Sequence, residues 1–298
     1  MQIRFWGTRG SIPVSGGEYR EYGGNTSCIE VIIQESKNVY LLDAGTGIRK
    51  AGEKILRNLK EGKVNDIYIF ITHSHWDHIM GLPFFQPIYY PVAKIHFFGP
   101  AQPNTTLRDI IFGLYQYNYF PVTFKELGAQ ISFKELKEES FSVDNIAVQT
   151  KIVNHPVITL AYRFEYNGKS LVYTGDNEPY QNFIDAGDEL LNEFVMQANK
   201  SFQSFIANAD VLIADAQYTE QEYEKKRGWG HSTFEWVYKI AKESNIKRLV
   251  YFHHDPARTD LELNEIKYTY LQNLKNEYNK SSALEDIIVA REGEWIEI

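Results

Sequence analysis

Six residues, His73-Ser74-His75-Trp76-Asp77-His78, hold three of the chain's eight histidines and an aspartate. On an extended segment, residues i and i+2 point the same way, so His73 and His75 can reach one metal ion together. Asp77 and His78 come after the turn and can reach a second ion. Imidazole and carboxylate donors suit zinc and leave manganese or iron open. The plain alternative is a polar loop that carries surface histidines, and placement argues against it. The apolar run Ile67-Tyr68-Ile69-Phe70-Ile71 leads straight into the cluster and reads as a buried strand. Ile79-Met80-Gly81-Leu82 then read as the start of a helix or a turn. The cluster therefore falls at the carboxyl end of a strand, where α/β sheets hold their ligands.

His-x-His-x-Asp-His after a buried strand resembles the metal-binding motif of the metallo-β-lactamase superfamily of hydrolases. Four further stretches resemble that family's remaining motifs, in order along nearly the whole chain. Asp43-Ala44-Gly45 resembles the early Asp-x-Gly motif, whose acid supports the metal loop by hydrogen bonds. His155, in Val153-Asn154-His155-Pro156, resembles the third ligand of the first metal. Asp176, ending Tyr173-Thr174-Gly175-Asp176, resembles the bridging carboxylate. His253, after Leu249-Val250-Tyr251-Phe252, resembles the last ligand of the second metal. The neighbouring His254 is the alternative, but it would point the opposite way on a continuing strand.

The resemblance implies two divalent ions per chain. His73, His75 and His155 would hold one, Asp77, His78 and His253 the other, and Asp176 would bridge them. A metal pair activates water and neutralises phosphoryl charge during in-line attack. Gly230-His231-Ser232-Thr233 resembles the His-Ser/Thr motif of the phosphodiesterase branch, which includes tRNA 3′-processing ribonucleases and cyclic phosphodiesterases. Ser232 or Thr233 can cap the amphipathic helix Phe234 to Lys242 and so hold His231 at the rim of a loop. Asp77, Asp176 and His231 are thus the catalytic candidates, with His231 as general acid. A loop histidine without function is the alternative for His231.

The elements that must position these residues follow from pattern. Residues 1 to 45 read as strands joined by the turns Gly7-Thr8-Arg9-Gly10-Ser11 and Gly23-Gly24-Asn25-Thr26-Ser27. The strands Cys28 to Ile33 and Val39 to Leu42 follow, and Ile48 to Lys60 reads as a helix with a charged outer face. Arg9 either meets a substrate phosphate or is an ordinary loop arginine. His96, on the strand Lys94 to Phe98, has no metal-like neighbours and reads as a structural histidine. Leu107, Ile110, Ile111, Leu114 and Tyr115 keep helical spacing. With Tyr117, Tyr119 and Phe120 they give residues 104–124 the character of a helical lid with aromatic walls. Core packing or a homodimer interface is the alternative for such a stripe. Residues 131 to 176 read as further strands, with Asn167-Gly168 as a hairpin turn. A helical stretch over 183 to 208 and the strand Val211 to Ala214 follow, ending at Asp215, which either supports the site or caps its strand. Strands followed by helices in both halves predict an α/β fold, the four-layer αββα sandwich that the resemblance also implies. Because the motifs span most of the chain, residues 1–298 are expected to form a single domain.

Composition narrows the function. The formal net charge is −8, whereas proteins that grip nucleic-acid backbones are usually basic. A single cysteine, Cys28, rules out an internal disulfide and fits a reducing cytoplasm. The chain opens on a strand pattern without an apolar signal region, and no apolar run is long enough to span a membrane. β-Lactam hydrolysis is disfavoured without secretion. Thioester hydrolysis of the glyoxalase type gives His231 no use. A flavodiiron electron-transfer module would depart from the histidine pattern at His75. Phosphodiester hydrolysis uses every feature. A small phosphodiester, a cyclic nucleotide above all, is the favoured substrate. An RNA or DNA nuclease is the alternative, although no glycine- and proline-rich arm separates Asp176 from His253. A non-catalytic binding or sensor module is the second alternative, and it would not need a placed acid.

Overall fold

The computed structural model describes residues 1–180, 188–276 and 283–298. Contacts divide the chain into two compact units, Met1–Leu136 with Ala290–Ile298, and Lys137–Val289. The first contains β1 (Gln2–Gly7), β2 (Cys28–Ile32), β3 (Val39–Leu42), α1 (Ile48–Lys60), β4 (Asp66–Phe70), α2 (Trp76–Ile79), β5 (Lys94–Pro100), α3 (Leu107–Gly113) and β6 (Gln130–Leu136). The second contains β7 (Ser140–Val143), β8 (Ile146–Val153), β9 (Thr159–Tyr166), β10 (Lys169–Tyr173), α4 (Glu189–Ile206), β11 (Val211–Asp215), α5 (Glu220–Tyr223), α6 (Phe234–Glu243), β12 (Arg248–Phe252), α7 (Asp260–Asn276) and β13 (Asp286–Val289). The last strand, β14 (Trp295–Glu297), pairs with β1 of the first unit.

The first unit is built on a seven-stranded mixed sheet in the order β14-β1-β2-β3-β4-β5-β6. β3, β4, β5 and β6 run parallel, and Leu42, Phe70 and Phe98 stand in one row. The segments after β3 and β4 therefore leave the sheet at the same end, which places Asp43 beside Thr72. Alternation along β4 sends Ile67 and Ile69 into the core with Leu41, Ile95 and Phe97. On α1, Ile48, Ala51, Ile55 and Leu59 recur every three or four residues and cover that face. Each such Ile or Leu contributes about 1.5–3 kcal/mol on burial. On the other face, Tyr68 stacks against Tyr40 and His96 with ring centroids 5.4 and 4.9 Å away. His96 also bonds Asp66 and Ser132, a structural arrangement.

The second unit has a seven-stranded mixed sheet of its own, in the order β13-β12-β11-β10-β9-β8-β7. β10 to β13 are parallel, and β7 to β10 are antiparallel neighbours. β8 is two antiparallel steps from β10 and so runs in its direction. The chain after β8, β10, β11 and β12 leaves at one end, delivering His155, Asp176, Asp215 and His253 there. Asn167 and Gly168 both hold positive φ in the β9–β10 hairpin. Thr233 caps α6 by accepting from the Trp236 N–H at 3.1 Å, worth about 1 kcal/mol.

Several expectations shift. The helix foreseen across residues 104–124 is only α3, Leu107–Gly113. Gly113 weakens the helix interior by about 1 kcal/mol, and Pro121 ends any continuation. Leu107, Ile111 and Tyr115 belong to the first unit's core, while Tyr117 and Tyr119 are exposed. Helix α2 starts at Trp76, so Asp77 and His78 lie within its turn and not after it. Of the strands foreseen over 131 to 176, β6 joins the first sheet and the rest join the second. The helical stretch foreseen from 183 is α4, beginning at Glu189; residues 183–187 fall outside the described residues. Sequence patterns gave no elements beyond His254, where α7, β13 and β14 stand. Among the described residues, no helix is long and apolar enough to cross a membrane.

Candidate metal centre

In the first unit, the site grows from the carboxyl ends of β3 and β4. Asp43 holds a left-handed φ of 59°, uncommon for a residue other than glycine. Its Oδ1 accepts from the Thr72 N–H at 2.8 Å. Its Oδ2 lies 2.7 Å from His78 Nδ1, so His78 donates there and keeps Nε2 for another partner. That Nε2 is 3.4 Å from Asp77 Oδ2. Thr72 Oγ1 gives its proton to Asp43 and lies 3.0 Å from His73 Nδ1, which fixes the His73 ring as well. The His73 ring is centred 4.7 Å from that of His75 and 4.2 Å from that of His78. The Ser11 N–H donates to Asp77 Oδ2 at 2.7 Å, so the first glycine turn reaches back to orient this carboxylate. Arg9 of that turn is buried; its Nε donates to Gly23 O at 2.8 Å, and its guanidinium lies 5.0 Å from the Tyr19 ring centre. These contacts are structural.

In the second unit, buried Asp176 lies between histidines. His253 Nε2 is 3.2 Å from Asp176 Oδ1, and His155 Nε2 is 3.9 Å from Asp176 Oδ2. His155 Nδ1 donates to Gly230 O at 2.9 Å. His253 adopts φ 61°, which turns it out of the line of β12. Asp215 lies behind these groups. Its Oδ2 accepts from the Asn177 N–H at 3.1 Å and lies 3.0 Å from His231 Nδ1. Its Oδ1 is 3.8 Å from His253 Nδ1. The His231 and His253 rings stack with centroids 5.0 Å apart. Burial pushes the Asp215 carboxyl up, against the opposing pull of His231. Asp176, Asp215, His231 and His253 each offer a ligand atom within 4.8 Å of the others. His254 is buried but belongs to no such group among the described residues.

The donor spacing fits a metal. Two ligands of a tetrahedral ion bonded at about 2.0–2.1 Å stand roughly 3.3 Å apart. His78 Nε2–Asp77 Oδ2 at 3.4 Å and His253 Nε2–Asp176 Oδ1 at 3.2 Å both match that edge. In both units a hydrogen bond holds a histidine Nδ1 and leaves Nε2 to face a carboxylate, the tuning that metal-binding histidines need.

Glu178 is a support that pattern reading missed. It is buried two residues after Asp176 and accepts from the Gly228 and Gly230 N–H groups at 2.8 and 2.9 Å and from the Tyr223 hydroxyl. It thereby sets the loop whose Gly230 carbonyl holds His155. Its partners lie some fifty residues along the chain, and no local motif marks them.

The Beta-lactamase superfamily domain model matches residues 38–254. The chain belongs to the metallo-β-lactamase superfamily. It is similar to ribonuclease Z of Staphylococcus aureus strain MSSA476, with 25% identity over 92% of this chain and 94% of that protein. Its fold is similar to that of human tRNase Z, short form, with TM-score 0.64, 20% identity and coverage of 100% and 99% of the two chains. A diphosphatase from the PhnP family gives TM-score 0.61, 17% identity and coverage of 100% and 97%. The chain thus has the α/β fold of the metallo-β-lactamase type and is a metal-dependent hydrolase of that superfamily.

Proposed function

We propose that the protein is a two-metal phosphodiesterase. On this reading His73, His75 and His155 hold one ion, Asp77, His78 and His253 the second, and Asp176 bridges. On the same reading, residues 1–298 work as one hydrolase domain. The donors favour zinc and are compatible with manganese or iron. The chemistry a metal pair supplies is a water acidified toward a pKa of about 7 and a clamp for phosphoryl oxygens.

The rest falls to the chain's own groups. Asp43 and the Gly230 carbonyl orient His78 and His155. His231 protonates the departing alkoxide, and Asp215 steadies its imidazolium form. The single observation that carries the phosphodiester reading is the buried His231 Nδ1–Asp215 Oδ2 pair at 3.0 Å beside Asp176. Alkoxide departure from a phosphodiester needs a placed acid.

The finer reading is a small cyclic nucleotide as substrate. It is supported by the interval between Asp176 and His253, whose described elements are α4, β11, α5, α6 and β12, with no projecting arm among them. A nuclease acting on RNA is the second reading, favoured by likeness to ribonuclease Z along 92% of the chain. Purified protein is expected to carry two ions per chain, and Asp176→Ala to lose hydrolysis together with at least one ion. Full occupancy and full activity in that variant would refute the assignment. A panel of cyclic mono- and dinucleotides beside single-stranded RNA, single-stranded DNA and a tRNA precursor separates the two substrates. Faster cleavage of any long strand than of every cyclic nucleotide would establish the nuclease.

A further inference from the structure

Trp229 is an exposed indole on a fully tethered backbone. The residue is 59% exposed. Its own N–H donates to Lys226 O at 3.2 Å. The N–H groups of Gly228 and Gly230, on either side of it, both donate to buried Glu178, at 2.8 and 2.9 Å. The same carboxylate takes the Tyr223 hydroxyl, so one buried acid fastens both the start and the end of the loop. Single exposed aromatic residues are ordinary on a protein surface. A large one standing in solvent while every neighbouring peptide is fixed is not explained by packing. It does suit binding, because a flat rigid surface on an ordered backbone loses little conformational entropy when a ligand covers it.

Position and charge indicate the ligand. The residue after Trp229 supplies the carbonyl that holds His155, and the next is His231, whose Nδ1 is 3.0 Å from Asp215. The three residues Lys225-Lys226-Arg227 are all cationic in a chain of net charge −8. Lys226 Nζ lies 6.0 Å from the Trp229 ring centre and 4.1 Å from that of Tyr218, with Asp255 Oδ2 at 3.1 Å; Lys225 and Arg227 are exposed. An aromatic face next to a run of cations matches a nucleotide, with its base on the indole and its phosphate toward the cations.

We propose that Trp229 is the nucleobase platform of this site, held in position by Glu178, and that the substrate is therefore a nucleoside-bearing diester. The inference rests on the phosphodiesterase reading for its setting, and the test separates the two. Thymidine 5′-p-nitrophenyl phosphate and methyl p-nitrophenyl phosphate share a leaving group and differ in the nucleoside. In Trp229→Ala holoenzyme, the ratio of kcat/KM for the first over the second should fall about 5- to 150-fold, the range set by stacking of one base at about 1–3 kcal/mol. Trp229→Phe should restore most of the ratio. Calorimetry with uridine 5′-monophosphate and the same holoproteins should show weaker binding by a similar factor in Trp229→Ala. An unchanged ratio, or equal losses on both diesters, overturns the platform. If the wild-type protein cleaves neither diester, the phosphodiesterase reading fails, and calorimetry alone decides on Trp229. Nucleotide affinity lost in Trp229→Ala sustains the platform; affinity retained there, or absent from the wild type, removes it.

Discussion

Replacing Gly230 with alanine tests how the Glu178-held loop sets the metal centre, and Gly228→Ala is its internal control. Both glycines adopt left-handed φ, 88° and 83° respectively. An L-residue there costs roughly 1–2 kcal/mol, so both variants should melt a few degrees below wild type. They differ in what a new Cβ meets. At Gly228 nothing lies within 4 Å. At Gly230 the Cβ would stand 2.1 Å from His155 Nδ1 and 2.6 Å from Pro156 Cδ, far inside contact distance. The ring must move, and the 2.9 Å bond from His155 Nδ1 to Gly230 O cannot survive unchanged. Loss of such an orienting partner typically lowers metal affinity about 10- to 100-fold. Chelator competition, read by elemental analysis of the protein after dialysis, should therefore show one weakened ion in Gly230→Ala and two tightly held ions in Gly228→Ala. Equal metal retention by the two variants, at matched melting temperatures, would show that the Gly230 carbonyl does not fix a metal ligand, and the role given to the loop would fall with it.

The general-acid role of His231 predicts a loss that depends on the leaving group. His231→Ala should keep its metal and lose about 10²- to 10⁴-fold on a nucleotide diester, but far less on bis(p-nitrophenyl) phosphate, whose leaving group needs no proton; equal losses on both would assign His231 to phosphate binding instead. A second prediction concerns acid stability. Burial raises the Asp210 carboxyl, but hydrogen bonds from Lys247 and Ser170 outweigh it and hold the group below its ordinary value. A depressed folded-state pKa gives stability that is present above the unfolded value of about 3.9 and is lost as pH falls through the folded value. The melting-temperature gap between wild type and Asp210→Asn should therefore be full near pH 6 and shrink below about pH 4; a gap independent of pH would remove the linkage.

The ligand motifs were legible because each is local: a buried strand ends, and the donors follow within a few residues. The acids behind them were partly legible for the same reason. Asp43 and Asp215 each end a buried strand, and both support histidines, Asp43 holding His78 and Asp215 holding His231. Glu178 was not legible, because its meaning lies in two peptide N–H groups far along the chain. The stripe at Leu107, Ile111 and Tyr115 shows the opposite limit. Helical spacing reveals that a face is apolar but not what covers it, and here the core of its own unit does. Tyr115 also donates its hydroxyl to Leu82 O at 3.0 Å, so its removal would test stability rather than substrate access. The start of α2 was invisible because His75, which is extended at φ −64° and ψ 150°, opens the helix without a side-chain cap.

Four histidines share one hydrogen-bonding habit, and it separates ligand from acid. Nδ1 of His73, His78, His155 and His231 lies 3.0, 2.7, 2.9 and 3.0 Å from Thr72 Oγ1, Asp43 Oδ2, Gly230 O and Asp215 Oδ2. Each acceptor is a carboxylate, a carbonyl or a hydroxyl whose own proton goes to a carboxylate. A proton therefore sits on each Nδ1, and in the ligand candidates His73, His78 and His155 the Nε2 keeps its lone pair. What differs is the direction of the carboxylates around the ring. His78 and His155 turn Nε2 toward Asp77 and Asp176, at 3.4 and 3.9 Å, as ligands sharing an ion with an acid would. His231 turns Nδ1 toward both of its neighbouring carboxylates, Asp215 at 3.0 Å and Asp176 at 3.9 Å. Its Nε2, on the far side of the ring, points away from them. Two carboxylates behind the ring favour the imidazolium, and an Nε2 facing elsewhere can give up that proton to a departing oxygen. The same Nδ1 anchoring thus leaves three neutral histidines with a free Nε2 for metal and, where two carboxylates hold the ring as its imidazolium, leaves the fourth with an Nε2 proton to give.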